Sequence, residues 1–274
     1  LRPEKISSTG FAAVVLAAQR RGVIDPLAEK AGLTHKCVVP IAGKPLIAHV
    51  VEALRATPGL ARLKIVVEPE MAATLREELP DAPVAIEYVP AASNLADSVH
   101  AAAVDLDQPT IVTTADNVLL TPGAIEAMLG TLRSGAQVGI AMAARASVLS
   151  AHPDGQRRFY RFTDDEYSNC NLYAFAGANA FRAAESFRGG GQFAKKPMRL
   201  VAAIGPINVL LFLMGRLSLS SAMKRLSRRF RMQIRAVVLP DGAHAIDVDN
   251  ERTFNVASQL LDARHGERVV AAIA

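Results

Sequence analysis

The 274-residue sequence has two cysteines, few aromatic side chains and, over one long stretch, no acidic residue at all. Cys37 and Cys170 are too few and too far apart for a disulfide framework, and no zinc-ligand spacing surrounds them. The opening LRPEKISSTG lacks an apolar leader core, which predicts a cytoplasmic location. There is no internal repeat and no low-complexity tract. The longest apolar run falls short of the roughly 20 residues that a bilayer crossing needs. Aromatics make up 5% of the chain, and the most basic stretch interleaves only Phe212 and Phe230. Nucleic acid is therefore not expected as a partner.

What is present is a globular composition, 50% apolar and 21% charged. The formal net charge is +5, but positions 188–240 hold eleven basic residues and no Asp or Glu. That stretch alone makes the protein basic, since its charge exceeds the total. A block of this kind predicts an anionic partner, most simply phosphate groups on a substrate or a membrane surface.

Along the first half, continuous apolar runs alternate with helix-like segments. Strands are expected at 11–17, 63–67, 84–89, 110–115 and 136–144. Helices are expected at 45–56, 69–79, 95–104 and 122–133, with Pro45 and Pro122 in first turns. Buried strands separated by helices give an α/β fold: a three-layer, Rossmann-like, mostly parallel sheet with helices on both faces. Short strands at 157–162 and 171–177 suggest a hairpin laid over the active face, and a helix is expected at 178–187. An amphipathic helix at 218–230, a strand at 233–239 and a helix at 251–263 close the chain. The expectation is one domain over 1–274, with 150–232 as a β-hairpin/helical insertion that binds an acceptor.

In such sheets ligands bind at the carboxyl ends of the strands. The turn Gln19-Arg20-Arg21-Gly22 lies at one such end. Its amides and arginines suit phosphate, although a solvated surface turn has the same composition. Lys36 follows as a point charge able to neutralise an oxygen gaining negative charge. Strand 110–115 runs into Asp116-Asn117, where an ionised Asp suits Mg²⁺ and an Asx-turn is the plainer alternative. In HAIDVDNERTF, alternation puts Asp247 and Asp249 on one side of a strand end. Two adjacent carboxylates repel unless a cation or a helix N-terminus lies near them. Asn250 can cap that helix.

The pattern LAAQRRG…HKCVVPIAGKPLIAHVVEAL resembles the MobA-like NTP transferases of the nucleotidyltransferase superfamily. Leu16-Ala17-Ala18 matches the end of the family's first strand, Lys36 its lysine, and Gly43-Lys44-Pro45-Leu46 its helix start. Gln19 stands where the family has glycine, Arg20-Arg21 fill the rest of the turn, and the spacer before Lys36 is longer than usual. TIVTTADNVLLTPGAIEAML is similar to the family's metal-binding Asp segment. IDVDNERT resembles its Asp-x-Asp-Thr-Pro element, with Asn250 for threonine and no proline.

The resemblance implies an enzyme that moves a nucleoside monophosphate from an NTP to a phosphorylated small molecule or lipid head-group precursor. CTP is favoured slightly over GTP. It implies Lys36, with Arg20 or Arg21, acting on the triphosphate. Leu16, Ala17, Ala18, Gln19, Gly22, Asn94, Ser98 and Asp116 would contact the nucleotide. Mg²⁺ would sit on Asp116 and Asp249, with Asp247 beside them as the less favoured ligand. Asn94 and Ser98, in SNLADSV, serve equally well as ordinary helix caps.

Residues 195–231 fall outside the shared pattern. The apolar run 200–214, interrupted by Pro206 and flanked by Lys and Arg, suits an anionic membrane interface. A buried helix or a homodimer contact explains it as well. Arg157, Arg158 and Arg161 suit an anionic acceptor, or else a solvated strand face. Two rival readings accompany the first. A nucleotide-sugar glycosyltransferase would use Asp247-Val248-Asp249 as its Asp-x-Asp, and an inactive nucleotide-binding regulator would explain the missing loop glycines.

Overall fold

The computed structural model describes residues 10–19, 22–79, 82–181, 214 and 216–273, the last seven by backbone alone. Arg20 and Arg21, most of the helix expected at 178–187, and all of the run 200–214 except Met214 lie outside the described residues.

In chain order the strands are β1 (Phe11–Leu16), β2 (Pro40–Ile41), β3 (Lys44–Pro45), β4 (Leu60–Val67), β5 (Ile86–Pro90), β6 (Thr110–Thr114), β7 (Val138–Ala144), β8 (Tyr160–Arg161), β9 (Glu166–Phe175) and β10 (Ile234–Leu239). The helices are α1 (Pro26–Lys30), α2 (Leu46–Arg55), α3 (Pro69–Glu78), α4 (Leu95–Ala103), α5 (Pro122–Arg133), α6 (Arg145–Ala151), α7 (Leu219–Phe230) and α8 (Glu251–Ile273). The main sheet runs β10-β7-β9-β6-β1-β4-β5, with β8 added against β9.

Strand β1 shows why the sheet is covered on both faces. Its residues are apolar without alternation, yet the period-2 pleat still sorts them. Phe11, Ala13 and Val15 join one core with residues of α2, α3, α5 and α8. Ala12 and Val14 join a second core with α4 and the apolar side of α7. The expected three layers are therefore present.

Two features depart from the sequence-based expectation. The segment expected as a hairpin over the active face does pair, Tyr160 with Tyr167 and Arg161 with Glu166. Its long strand β9, however, enters the central sheet. There β9 runs antiparallel between β6 and β7, and every other pairing in the path is parallel. Its buried alternate positions, among them Leu172 and Ala174, supply the reason: they complete the same core that β1 lines. Second, the chain between β1 and α2 is not irregular throughout. It forms α1, a 3-10 turn at Lys36–Val38, and the hairpin β2–β3. Ala42 (φ 46°) and Gly43 (φ 82°) make that hairpin's two-residue turn, both with positive φ as a type I′ turn requires.

Helix α7 turns Met223, Leu226 and Phe230 onto the sheet and leaves Lys224, Arg228 and Arg229 exposed. Its apolar side is thus spent on packing within the chain. Among the described residues, no helix is long and apolar enough to cross a membrane.

A candidate active site at the carboxyl edge of the sheet

Three chain segments meet where β1 and β6 end. The first delivers Lys36. Its neighbours His35 and Cys37 are buried and hold the 3-10 turn down, while the Leu46 amide donates to the Val39 carbonyl and ties the turn to α2. Lys36 is left pointing into the cleft. The second delivers Asp116, two residues past β6. The Ala115 amide donates to the Leu16 carbonyl, and the buried Asn117 amide donates to Thr113 Oγ1 and the Cys170 carbonyl. These bonds fix the direction in which Asp116 leaves the sheet.

The third segment follows β10. Its 3-10 turn, Gly242–Ala245, lies so close to α6 that a Cβ on Gly242 would sit 2.2 Å from the Ser147 carbonyl oxygen. No side chain fits there. The chain then donates the Val248 amide to the Asp116 carbonyl, 3.0 Å, and turns tightly, the Asp249 amide meeting the Asp247 carbonyl. Helix α8 begins at once. Asn250 Oδ1 accepts from the Thr253 amide, and Thr253 Oγ1 accepts from the amides of Asp249 and Asn250. This reciprocal cap places the helix's N-terminal partial positive charge beside the acids.

Lys36 Nζ lies 2.5 Å from Asp116 Oδ2 and 3.7 Å from Asp249 Oδ1. Carboxylate oxygens of Asp116, Asp247 and Asp249 all fall within 4.8 Å of one another. The charges act on each other strongly. Burial opposes the Lys36 ammonium, but the Asp116 and Asp249 carboxylates more than offset this and hold its pKa above the ordinary lysine value. Burial, then the charges of Asp249 and Asp116, push the Asp247 carboxyl well above the usual range. Asp249 is raised by burial and Asp116, with Lys36 pulling the other way. A cation among these acids would relieve that repulsion. Among the described residues the buried Asp116 Oδ1 has no hydrogen-bond partner, which leaves an acceptor open to a cation. An all-oxygen set fits a hard divalent ion such as Mg²⁺.

The structure thus brings together Lys36, Asp116, Asp247 and Asp249. Others among the expected residues do different things. Leu16 and Ala17 use their backbones on the neighbouring strands, the Ala17 amide donating to the Val66 carbonyl. Ala18 is exposed, and Gly22 has a positive φ of 73° in open space. The Gln19 amide donates to Glu68 Oε1, and its side-chain amide to the Thr34 carbonyl. The side chain of Gln19 therefore braces the loop against Thr34, a bond that a glycine could not make. Asn94 caps α4 through the Asp97 amide, and Ser98 Oγ accepts from the Ala92 amide. Arg157 lies by Asp154 and Arg161 by Glu166, both largely exposed, and Arg158 is exposed. None of these three touches the acid cluster.

Sequence reasoning missed Asn171. Its amide Nδ2 donates to Asp247 Oδ2 at 2.8 Å. The signal was available in SNCNLY: two asparagines inside an apolar run are poor strand formers.

Comparison with known proteins follows this geometry. A family model described as the MobA-like NTP transferase domain matches residues 13–205. A structure titled as a hypothetical transferase from Thermus thermophilus is 26% identical, with a TM-score of 0.74 over 89% of this chain and 99% of that one. A 4-diphosphocytidyl-2C-methyl-D-erythritol synthase from Anaerococcus prevotii shares the fold at 11% identity, with a TM-score of 0.59 over 94% and 98%. So does a CMP:2-keto-3-deoxy-manno-octonic acid synthetase complexed with CTP, at 14% identity and a TM-score of 0.57 over 92% and 99%. No curated protein matches the sequence.

Proposed function

The chain belongs to the MobA-like NTP transferase family, and on that premise we propose that it transfers a nucleoside monophosphate from an NTP to a phosphorylated acceptor. An acceptor phosphate oxygen forms a new bond to the α-phosphorus, the bond from the α-phosphorus to the bridging oxygen breaks, and pyrophosphate leaves with its charge. The acceptor phosphate is ionised at neutral pH, so no general base is required. Catalysis is positioning and charge neutralisation.

The single observation that carries this reading is Lys36 facing Asp116 and Asp249 in one cleft. Lys36, with Arg20 or Arg21 from the preceding loop, would hold the β- and γ-phosphates as their charge grows. Asp116 and Asp249, with Asp247 beside them, would hold Mg²⁺. Such an ion, when bound, neutralises phosphate oxygens and aligns them for in-line displacement. The Asp116 and Asp249 backbones are fixed by the bonds described above, so the site is organised before substrate arrives.

CTP is the favoured donor and GTP the second. Phosphorylated head-group precursors are generally activated with cytidine, and two fold neighbours have titles naming cytidine nucleotides or their products. Arg157, Arg158 and Arg161 are the proposed acceptor contacts, within an insertion spanning 150–232. Pyrophosphate release, measured with each of the four NTPs against a panel of phosphorylated alcohols, tests the proposal. One donor–acceptor pair should release pyrophosphate in step with product. Release of a nucleoside diphosphate from a nucleotide sugar, with no pyrophosphate from any NTP, would instead make the protein a glycosyltransferase.

An anionic surface is proposed as a partner for the exposed cations Lys224, Arg228 and Arg229 of α7. Co-flotation with phosphatidylglycerol vesicles, weakened by salt, is expected. Failure to float at low salt would remove this part of the proposal.

A further inference from the structure

Asn171 holds a conformation that its position in a strand does not explain. It lies within β9, yet its φ is 47°, in the left-handed region that residues other than Gly, Asn and Asp rarely visit. The pairing of β9 with β7 slips at the same place, between Ile140 and Met142. The slip is a bulge that re-aims a side chain. Asn169 supports it: its Oδ1 accepts from the Asn171 amide at 3.2 Å, and its Nδ2 donates to the Tyr173 hydroxyl. The outcome is one bond, from Asn171 Nδ2 to Asp247 Oδ2 at 2.8 Å.

We propose that Asn171 is a positioning residue for the acid cluster, its amide fixing the Asp247 carboxylate so that the three acids present oxygens to a divalent cation. The inference rests on the metal-binding reading above. The chemistry explains the residue type. Asp247 is crowded by the negative charges of Asp249 and Asp116, and a neutral donor can hold one of its oxygens without competing as a cation for the site. An amide also tolerates the left-handed backbone better than other side chains do. One oxygen of Asp247 is thereby held in a fixed direction. The strained backbone is the cost of that aim, and strain of this kind is retained where the surroundings demand it.

The experiment is a Mn²⁺ titration of the full chain, followed by loss of the free-ion EPR signal, beside a thermal melt without metal. Three proteins are compared: wild type, Asp116→Asn and Asn171→Gly. Wild type should bind Mn²⁺ and Asp116→Asn should lose it. Asn171→Gly removes the amide but suits the backbone, so its melting temperature should stay level or rise. Its Mn²⁺ affinity should fall about tenfold, as expected for the loss of a group that orients a ligand. Unchanged affinity in Asn171→Gly overturns the inference, whatever the melting temperature does. If wild type and Asp116→Asn bind Mn²⁺ equally, the metal-binding reading itself has failed.

Discussion

Lys36→Met removes the cation that faces two of the three clustered acids. Nζ is 2.5 Å from one carboxylate and 3.7 Å from another. At an effective dielectric of about 20 these contacts amount to about 7 and about 4 kcal/mol before any desolvation cost. Desolvation cancels most of that. Removing one member of a buried ion pair costs about 3–5 kcal/mol in practice. Lys36 and Asp116 keep 21% and 14% of their side-chain exposure, which puts the expected loss near the lower end, about 3 kcal/mol. For a chain of this size that lowers the melting temperature by roughly 6–12 °C. The loss should depend on pH. With Lys36 gone, the carboxyls of Asp247 and Asp249, already raised by burial and by Asp116, take up protons in the folded state. A raised carboxyl favours folding as pH falls, so the variant should lag wild type less at about pH 5 than at about pH 8. Mg²⁺ should also stabilise the variant itself: at a hundredfold excess over Kd, binding adds about 2.7 kcal/mol, as it does to wild type at the same excess over its own Kd. Differential scanning calorimetry across pH, with and without Mg²⁺, measures all three. A variant melting with wild type, and indifferent to both pH and Mg²⁺, would refute the reasoning.

Two further predictions concern groups outside the acid cluster. Burial pushes the Cys37 thiol up to about 12 and raises Cys170 as well; neither should react with Ellman's reagent at about pH 8 until the protein is unfolded. Rapid labelling of the folded protein would contradict the packing described. Lys64, buried in β4, is met by Asp105 at 2.5 Å and Glu87 at 3.0 Å. Hydrogen bonds from Lys64 and Arg62 depress Asp105 to about 2. Asp105→Asn should therefore cost about 1 kcal/mol, after discounting for solvent at a half-exposed carboxylate. A depressed carboxyl stabilises the fold above its unfolded pKa, so the difference should be complete above about pH 4 and vanish as pH falls towards 2. Urea melts giving the same gap at both ends would show that the ion pair is not its source.

The parallel sheet could be read from the chain because central strands leave a plain trace. The run FAAVVL has no polar position, and helices with a proline in the first turn separate such runs. Asp116 was readable because it follows an apolar run at a strand's carboxyl end, where side chains have little packing to do. Lys36, which opens a 3-10 turn, and Asp249, in a turn and not at the strand end that alternation suggested, were readable through the family resemblance. What escaped was non-local. Strand β9 is framed by Glu166 and the asparagines of SNCNLY, and nothing local says that it will pair antiparallel between β6 and β7. Asn171 meets Asp247 across 76 positions of sequence, a contact no periodicity reveals. Gln19 was readable as a departure from the family's glycine. Its role as a brace depends on the Thr34 carbonyl, fifteen positions further along the chain.

The central claim is that the acid cluster, with Lys36, carries out nucleotidyl transfer. The most direct measurement is transfer of label from an α-³²P-labelled NTP to the phosphorylated acceptor, comparing wild type with Asp116→Asn. Loss of one ligand of the cation that would neutralise developing charge should slow transfer by about 10²–10³-fold, while the far-ultraviolet circular dichroism stays that of the wild type. Transfer at an undiminished rate in Asp116→Asn would contradict the account.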